Sequence, residues 1–143
     1  MSRRIFVDAN VINDIFDAER RFHVASYQCL EYCLEQEISL ITTCDIVTTV
    51  YYITAKSQDR TKALEALERV NAIFEIIPFG NNELADAIAL MQNDGDYADL
   101  EDTVQYVLAL QSGCDVILTN DARFVAKDLS VKSSADLIKN PRY

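Results

Sequence analysis

Three acidic segments hold the residue types from which a reactive site could be built. In IFVDAN an apolar run ends on Asp8, and Asn10 follows two residues later. DYADLEDTV places Asp99 and Asp102 three apart at the start of a helical pattern, so these two share a face while Glu101 points elsewhere. VILTNDARF closes another apolar run with Thr119 and Asp121. Carboxylates gathered at one place repel one another and are costly to desolvate, and hard oxygen ligands with water-filled positions suit Mg²⁺ or Mn²⁺. A bound cation would also reverse the local charge that a phosphate meets. Each acid has a simpler role as well. Asp99 could cap a helix whose dipole favours Glu101 and Asp102 in its first turn, Asp121 could cap a short helix over ARFVAK, and Asp8 could cap the helix after it, although Asn10 can do the same.

The elements that must position these acids alternate along the chain. IFV at 5–7, ISLITT at 38–43, FEIIPF at 74–79, DVILT at 115–119 and a weaker LSV at 129–131 read as short buried strands. Helical patterns lie between them, over 23–36 with a stripe of Val24, Tyr27, Leu30 and Leu34, and over 45–56, 59–72, 84–91 and 99–112. Such strands, nearly continuous in apolar residues, fit a parallel sheet covered on both faces, a three-layer α/β/α domain spanning 1–143. In open sheets of this kind the functional crevice lies beyond the carboxyl ends of the strands, where Asp8 and Asp121 both fall. Asn13 and Asp14 are expected on a solvated face of the first helix, and 93–100 is the expected irregular stretch.

Composition narrows the classes. Half of the 143 residues are hydrophobic, enough for one real core. No apolar run reaches the length of a membrane span, and Asp8 interrupts the one N-terminal stretch resembling a signal peptide, which points to a cytoplasmic protein outside the membrane. Cys29 and Cys33, one helical turn apart, read as core, as do Cys44 and Cys114 at strand ends, and zinc-site spacings are absent. His23, the only histidine, sits in a polar stretch before a helix and has no triad partner motif. Tyr51, Tyr52 and Tyr106 read as helix-packing residues. No glycine-rich phosphate cradle is present. A net charge of −10 repels nucleic acid over the molecule as a whole but is compatible with a metal enzyme.

With these features in place, FVDANVINDIF, the helix after ISLITT, and DLEDTVQYVLALQSGCDVILTNDARF together resemble the PIN domain, in particular its toxin-like VapC group, over nearly the entire chain. The resemblance implies a sheet in the order 3-2-1-4-5 and metal-dependent ribonuclease activity. It places Asp8, Asp102 and Asp121 as ligands of Mg²⁺ or Mn²⁺, with Asp99 binding directly or orienting a water. Asn10 and Thr119 would fix those carboxylates by hydrogen bonds, and the reaction would be in-line hydrolysis of an RNA phosphodiester. It further implies a homodimer and a small antitoxin protein whose Arg reaches into the acidic groove. Arg123 and Lys127, one turn apart beyond Asp121, and Arg20 with Arg21 are candidate phosphate contacts.

One position departs from the family pattern. The acid usual on the third helix falls at Thr49, or at Thr48 with a shift of one, and a hydroxyl does not supply its charge. Asp45 lies one turn earlier on the face of Thr49, where it would either approach the metal or cap the helix. The departure leaves a second reading, a catalytically weakened PIN domain that binds RNA or protein. A more distant alternative is a haloacid-dehalogenase-like phosphohydrolase, which also ends its first strand on Asp but wants a second Asp where Asn10 stands.

Overall fold

Ile5, Phe6 and Val7 are all fully or almost fully buried. Successive strand residues face opposite sides of a sheet, so both faces of this strand must be covered. The structure, a computed structural model, describes residues 3–141. Its elements run β1 (Arg4–Val7), α1 (Ala9–Phe16), α2 (His23–Glu35), β2 (Ser39–Thr43), α3 (Cys44–Ser57), α4 (Arg60–Ile73), β3 (Glu75–Ile77), α5 (Asn81–Asn93), α6 (Leu100–Gln111), β4 (Val116–Leu118), β5 (Ser130–Lys132) and α7 (Ser134–Lys139). The five strands are all parallel in the order β3-β2-β1-β4-β5, as the sequence resemblance implies.

β1 is central, with Phe6 opposite Ile41 of β2 and Ile117 of β4. The chain builds outward from β1 on one side through β2 and β3, then returns to its other side as β4 and β5. The order therefore reverses between β1 and β4, which opens a crevice at their carboxyl ends. The edge strands β3 and β5 are only partly buried, unlike the continuous burial expected of them. An edge strand has a neighbour on one side only and lies where the covering layers end.

Several local expectations are overturned. The buried face of α2 is Ser26, Cys29, Leu30 and Cys33, while Val24 and Leu34 lie at the surface. The helix docks through its small residues: the Ser26 and Ser134 hydroxyls are 2.7 Å apart, and Cys29 Sγ donates to the Ser134 carbonyl. Asn13 and Asp14 are not solvated, being 1% and 2% exposed, because the short α1 is enclosed by its neighbours. Cys44, the first residue of α3, is exposed, whereas Cys29, Cys33 and Cys114 are buried and all four are free thiols. Tyr52 is also largely exposed, while Tyr106 is buried. No helix forms over ARFVAK; residues 122–128 run through turns, with Phe124 N bonded to Asp121 O and Lys127 N to the Tyr97 hydroxyl. The sequence reading also lacks α7, whose cap Ser133 accepts from Asp136 N at 3.1 Å. The expected irregular stretch is present as the loop over 94–99.

Among the described residues no helix is long and apolar enough to cross a membrane.

Candidate functional site

The adjacent ends of β1 and β4 bring the first and third acidic segments together. Asp8 N donates to Leu118 O (3.0 Å), and Thr119 N donates to Lys132 O at the end of β5 (3.0 Å). Asp8 is 6% exposed. Its Oδ1 accepts from Ala9 N (2.7 Å), so it does cap α1, while Oδ2 accepts from Thr119 Oγ1 (2.9 Å) and Asn10 Nδ2 (3.1 Å). Burial raises its pKa; the Thr119 and Ala9 donors and the buried Gln105 amide act in the opposite direction. Thr119 Oγ1 in turn accepts from Asn10 Nδ2 (3.2 Å) and Asp121 N (3.1 Å). One hydroxyl thus ties the Asp8 carboxylate to the backbone that carries Asp121.

The second segment arrives on α6. Asp99 is the N-cap, its Oδ1 accepting from Asp102 N at 2.9 Å. Asp99, Asp102 and Asp121 line a cleft of about 320 Å³ together with Tyr97, Arg123 and Val125. The Asp102 carboxyl is half-buried and accepts no hydrogen bond from the described residues. Burial, and then the negative charges of Asp8, Asp99, Asp121 and Glu101, push its pKa up to about 7. Asp121 goes the other way. The Arg123 N–H (2.9 Å) and guanidinium (3.2 Å) hold its carboxyl below the usual range.

Glu101 is exposed and does not line the cleft of Asp99, Asp102 and Asp121. Its pKa is raised by burial and then by Asp45, Asp99 and Asp8, and it lines a neighbouring depression with Asp45 and Asp99. Asp45 is not the cap of α3, which is Thr43; its carboxylate instead accepts from the Thr43 hydroxyl. Thr49 is half-buried on α3, and Thr48 is turned back to the Asp45 carbonyl (2.7 Å).

The four basic candidates have different partners. Lys127 Nζ is taken up by Asp94 (2.7 Å) and Asp96 (2.8 Å), which raise its pKa. Arg123 reaches back to Asp121 with an otherwise exposed side chain. Arg20 Nε binds Asp14 Oδ1 at 2.8 Å, and the Arg21 guanidinium lies 4.9 Å from the centroid of the Phe22 ring.

Two features of the site were not foreseen from the sequence. Gln105 is 3% exposed and acts on Asp8 from α6. Its spacing of three from Asp102, on the same helical face, is the signal that would have found it. The second is a buried network around Asp14, whose Oδ2 accepts from Asn120 Nδ2 (2.8 Å) and Ser26 Oγ (3.3 Å). Asn120 N donates to Asn10 Oδ1, and Asn120 Oδ1 accepts from Ser134 N, both at 2.9 Å. The residue between Thr119 and Asp121 is therefore anchored to α1, α2 and α7.

The donor set bears on whether a metal fits. Asp8, Asp102, Asp121 and Asp99 offer only carboxylate oxygens, and Asp102 is destabilised as an anion and forms no salt bridge among the described residues. That chemistry suits a hard divalent cation. The arrangement is open rather than a closed cage: among the described residues, no three His, Cys, Asp or Glu side chains stand close enough to hold an ion together. Mutual repulsion among anions acts in that direction.

A sheet with its order reversed at β1, and acids delivered to that reversal from β1, α6 and the end of β4, define a class of protein. The profile of the PIN domain family matches residues 4–123, and the chain belongs to that family. Ribonuclease VapC1 of Aquifex aeolicus (strain VF5) is 46% identical over 135 residues, covering 94% of this chain and 93% of that protein. Among solved structures, the fold is similar to Mycobacterium tuberculosis VapC20, a Sarcin-Ricin loop cleaving toxin, with a TM-score of 0.71, 14% identity and coverage of 87% of this chain and 95% of that one. VapBC2 from Rickettsia felis, bound to a DNA fragment from its promoter, also gives a TM-score of 0.71 at 14% identity, covering 91% and 98%. The phosphohydrolase alternative falls with the family assignment.

Proposed function

We propose that the protein is a ribonuclease that hydrolyses RNA phosphodiester bonds at the β1/β4 crevice, using Mg²⁺ or Mn²⁺ held by Asp8, Asp102 and Asp121, with Asp99 binding directly or orienting a water. The observation that carries the reading is Asp102, a half-buried carboxyl beside Asp8, Asp99 and Asp121 that forms no salt bridge among the described residues. Its 46% identity to a ribonuclease supports the reaction class. When bound, the cation supplies Lewis-acid neutralisation of charge on the phosphoryl group. The chain's own contribution is orientation. Thr119 and Asn10 hold the Asp8 carboxylate, Gln105 borders it from α6, and the Asn120 anchor fixes the turn that carries Asp121.

The protein would act as the toxin-like member of a toxin–antitoxin pair and as a homodimer. Similarity to VapC proteins supports the toxin-like role, as does an acidic cleft suited to an Arg of a small antitoxin. Incubation of the purified protein with a fluorescent RNA pool in Mg²⁺, in Mn²⁺ and in chelator tests the activity. Cleavage that requires the cation supports it, and an intact pool in all three contradicts it. A weakened, RNA- or protein-binding PIN domain is the second reading, favoured by the uncharged Thr49 and the open spacing of the acids. A folded protein that takes up no Mn²⁺ in calorimetric titration would support it instead.

A further inference from the structure

Next to the carboxylate cleft lies a second depression, of about 250 Å³, lined by Asn10, Asp14, Arg20, Phe22, Asn120 and Asp121. Asp121 borders both, so a strand laid across the carboxylates runs into this depression. Its outer wall is the turn between α1 and α2, which is internally bonded: Glu19 N to Asp17 Oδ1 (3.0 Å), Arg20 N to Asp17 O (3.1 Å) and His23 N to Arg20 O (3.1 Å). Arg20 is oriented through Nε by the buried Asp14, and Nη1 and Nη2 have no acceptor among the described residues. A guanidinium fixed at one edge with its remaining N–H groups free is suited to a phosphate. Beside it, Phe22 is 37% exposed, and Arg21 adds a second guanidinium at its ring. In a molecule of net charge −10, a stacking surface flanked by two arginines at the edge of the acidic cleft is a local exception.

We infer that the α1–α2 turn is a binding subsite for one unpaired nucleotide of the RNA, Phe22 stacking on the base and Arg20 holding the phosphate beside it. The inference rests on the ribonuclease reading for the position of this nucleotide next to the cleaved bond. A duplex keeps its bases stacked on each other, so the subsite selects single-stranded RNA or a loop.

Binding of a fluorescent single-stranded RNA octamer to the Asp8→Asn protein, and of a duplex of equal length, tests this by anisotropy. Phe22→Ala is expected to weaken single-strand binding about tenfold while duplex binding is unchanged, and Phe22→Tyr to restore it. Arg20→Gln is expected to make the slope of log affinity against log salt shallower by about 0.7, the signature of one lost single-strand phosphate contact. A salt slope unchanged in Arg20→Gln, equal affinity of Phe22→Ala and Phe22→Tyr for the octamer, or no octamer binding by Asp8→Asn would overturn the subsite. Metal-dependent cleavage by the unsubstituted protein together with Phe22-independent binding would remove the subsite and leave the ribonuclease reading standing. Phe22-dependent binding without any cleavage would do the reverse, leaving a single-strand binding site on a non-catalytic domain.

Discussion

A carboxylate buried at the end of a central strand, as Asp8 is, is costly to keep charged, and the donors of Ala9, Thr119 and Asn10 offset part of that cost. Asp102 is the more exposed case and the more telling one, because its pKa of about 7 lies well above the 3.8 of an unperturbed Asp. Between those values the folded, metal-free protein keeps a proton that the unfolded chain has lost, so stability falls as pH rises through this range. The expected outcome is a higher melting temperature at pH 5 than at pH 8 in chelator. Mn²⁺ should raise the melting temperature more at pH 8, where the carboxylate is free of its proton. A metal-free melting temperature that rises from pH 5 to pH 8 would contradict the placement of Asp102. The meeting of Asp8 with Thr119 is legible in the sequence, since both end apolar runs of strand length. Gln105 is legible only in part: its spacing of three puts it on the face of Asp102, but that it acts on Asp8 depends on what stands opposite that face, which spacing does not give.

At the scale of elements, the periodic pattern gives the type of each helix better than its buried face. The stripe on α2 that looks apolar is partly exposed because the helix packs against α1 and α7 through Ser26 and Cys29, whose hydrogen bonds no hydropathy pattern reports. Asp14 is buried for a related reason, and removing it would take one acceptor from Asn120 Nδ2 and Ser26 Oγ and the carboxylate partner from Arg20 Nε. Asp14→Ala is expected to lower stability by about 2 kcal/mol in urea unfolding; a loss within error of zero would mean the network is not formed. Two helix ends make another pair. After α6 the chain turns through Gly113 at φ 69°, with Cys114 N bonded to Ala109 O. After α2 it turns the same way through Glu37 at φ 54°, with Ile38 N bonded to Cys33 O. A side chain in that left-handed region costs about 1 kcal/mol, so Glu37→Gly should stabilise the protein by about that much in the same measurement. Destabilisation by Glu37→Gly would contradict the turn geometry.

For the whole molecule, alternation of strands and helices announces a covered parallel sheet, yet burial alone does not say which strand lies beside which. The order β3-β2-β1-β4-β5 is legible through the family motifs, and it is this order that gathers residues more than a hundred positions apart at one crevice. On the proposed reading, the net charge of −10 is less a barrier to RNA than a reason for RNA approach to depend on a cation at that crevice. The central claim is that Asp8 serves the reaction rather than the fold. The most direct measurement is the rate of RNA cleavage in Mn²⁺ by the natural protein and by Asp8→Asn, each with its melting temperature. The account predicts that Asp8→Asn loses cleavage while remaining folded, with a cooperative melting transition. Equal cleavage rates for the two proteins would contradict it.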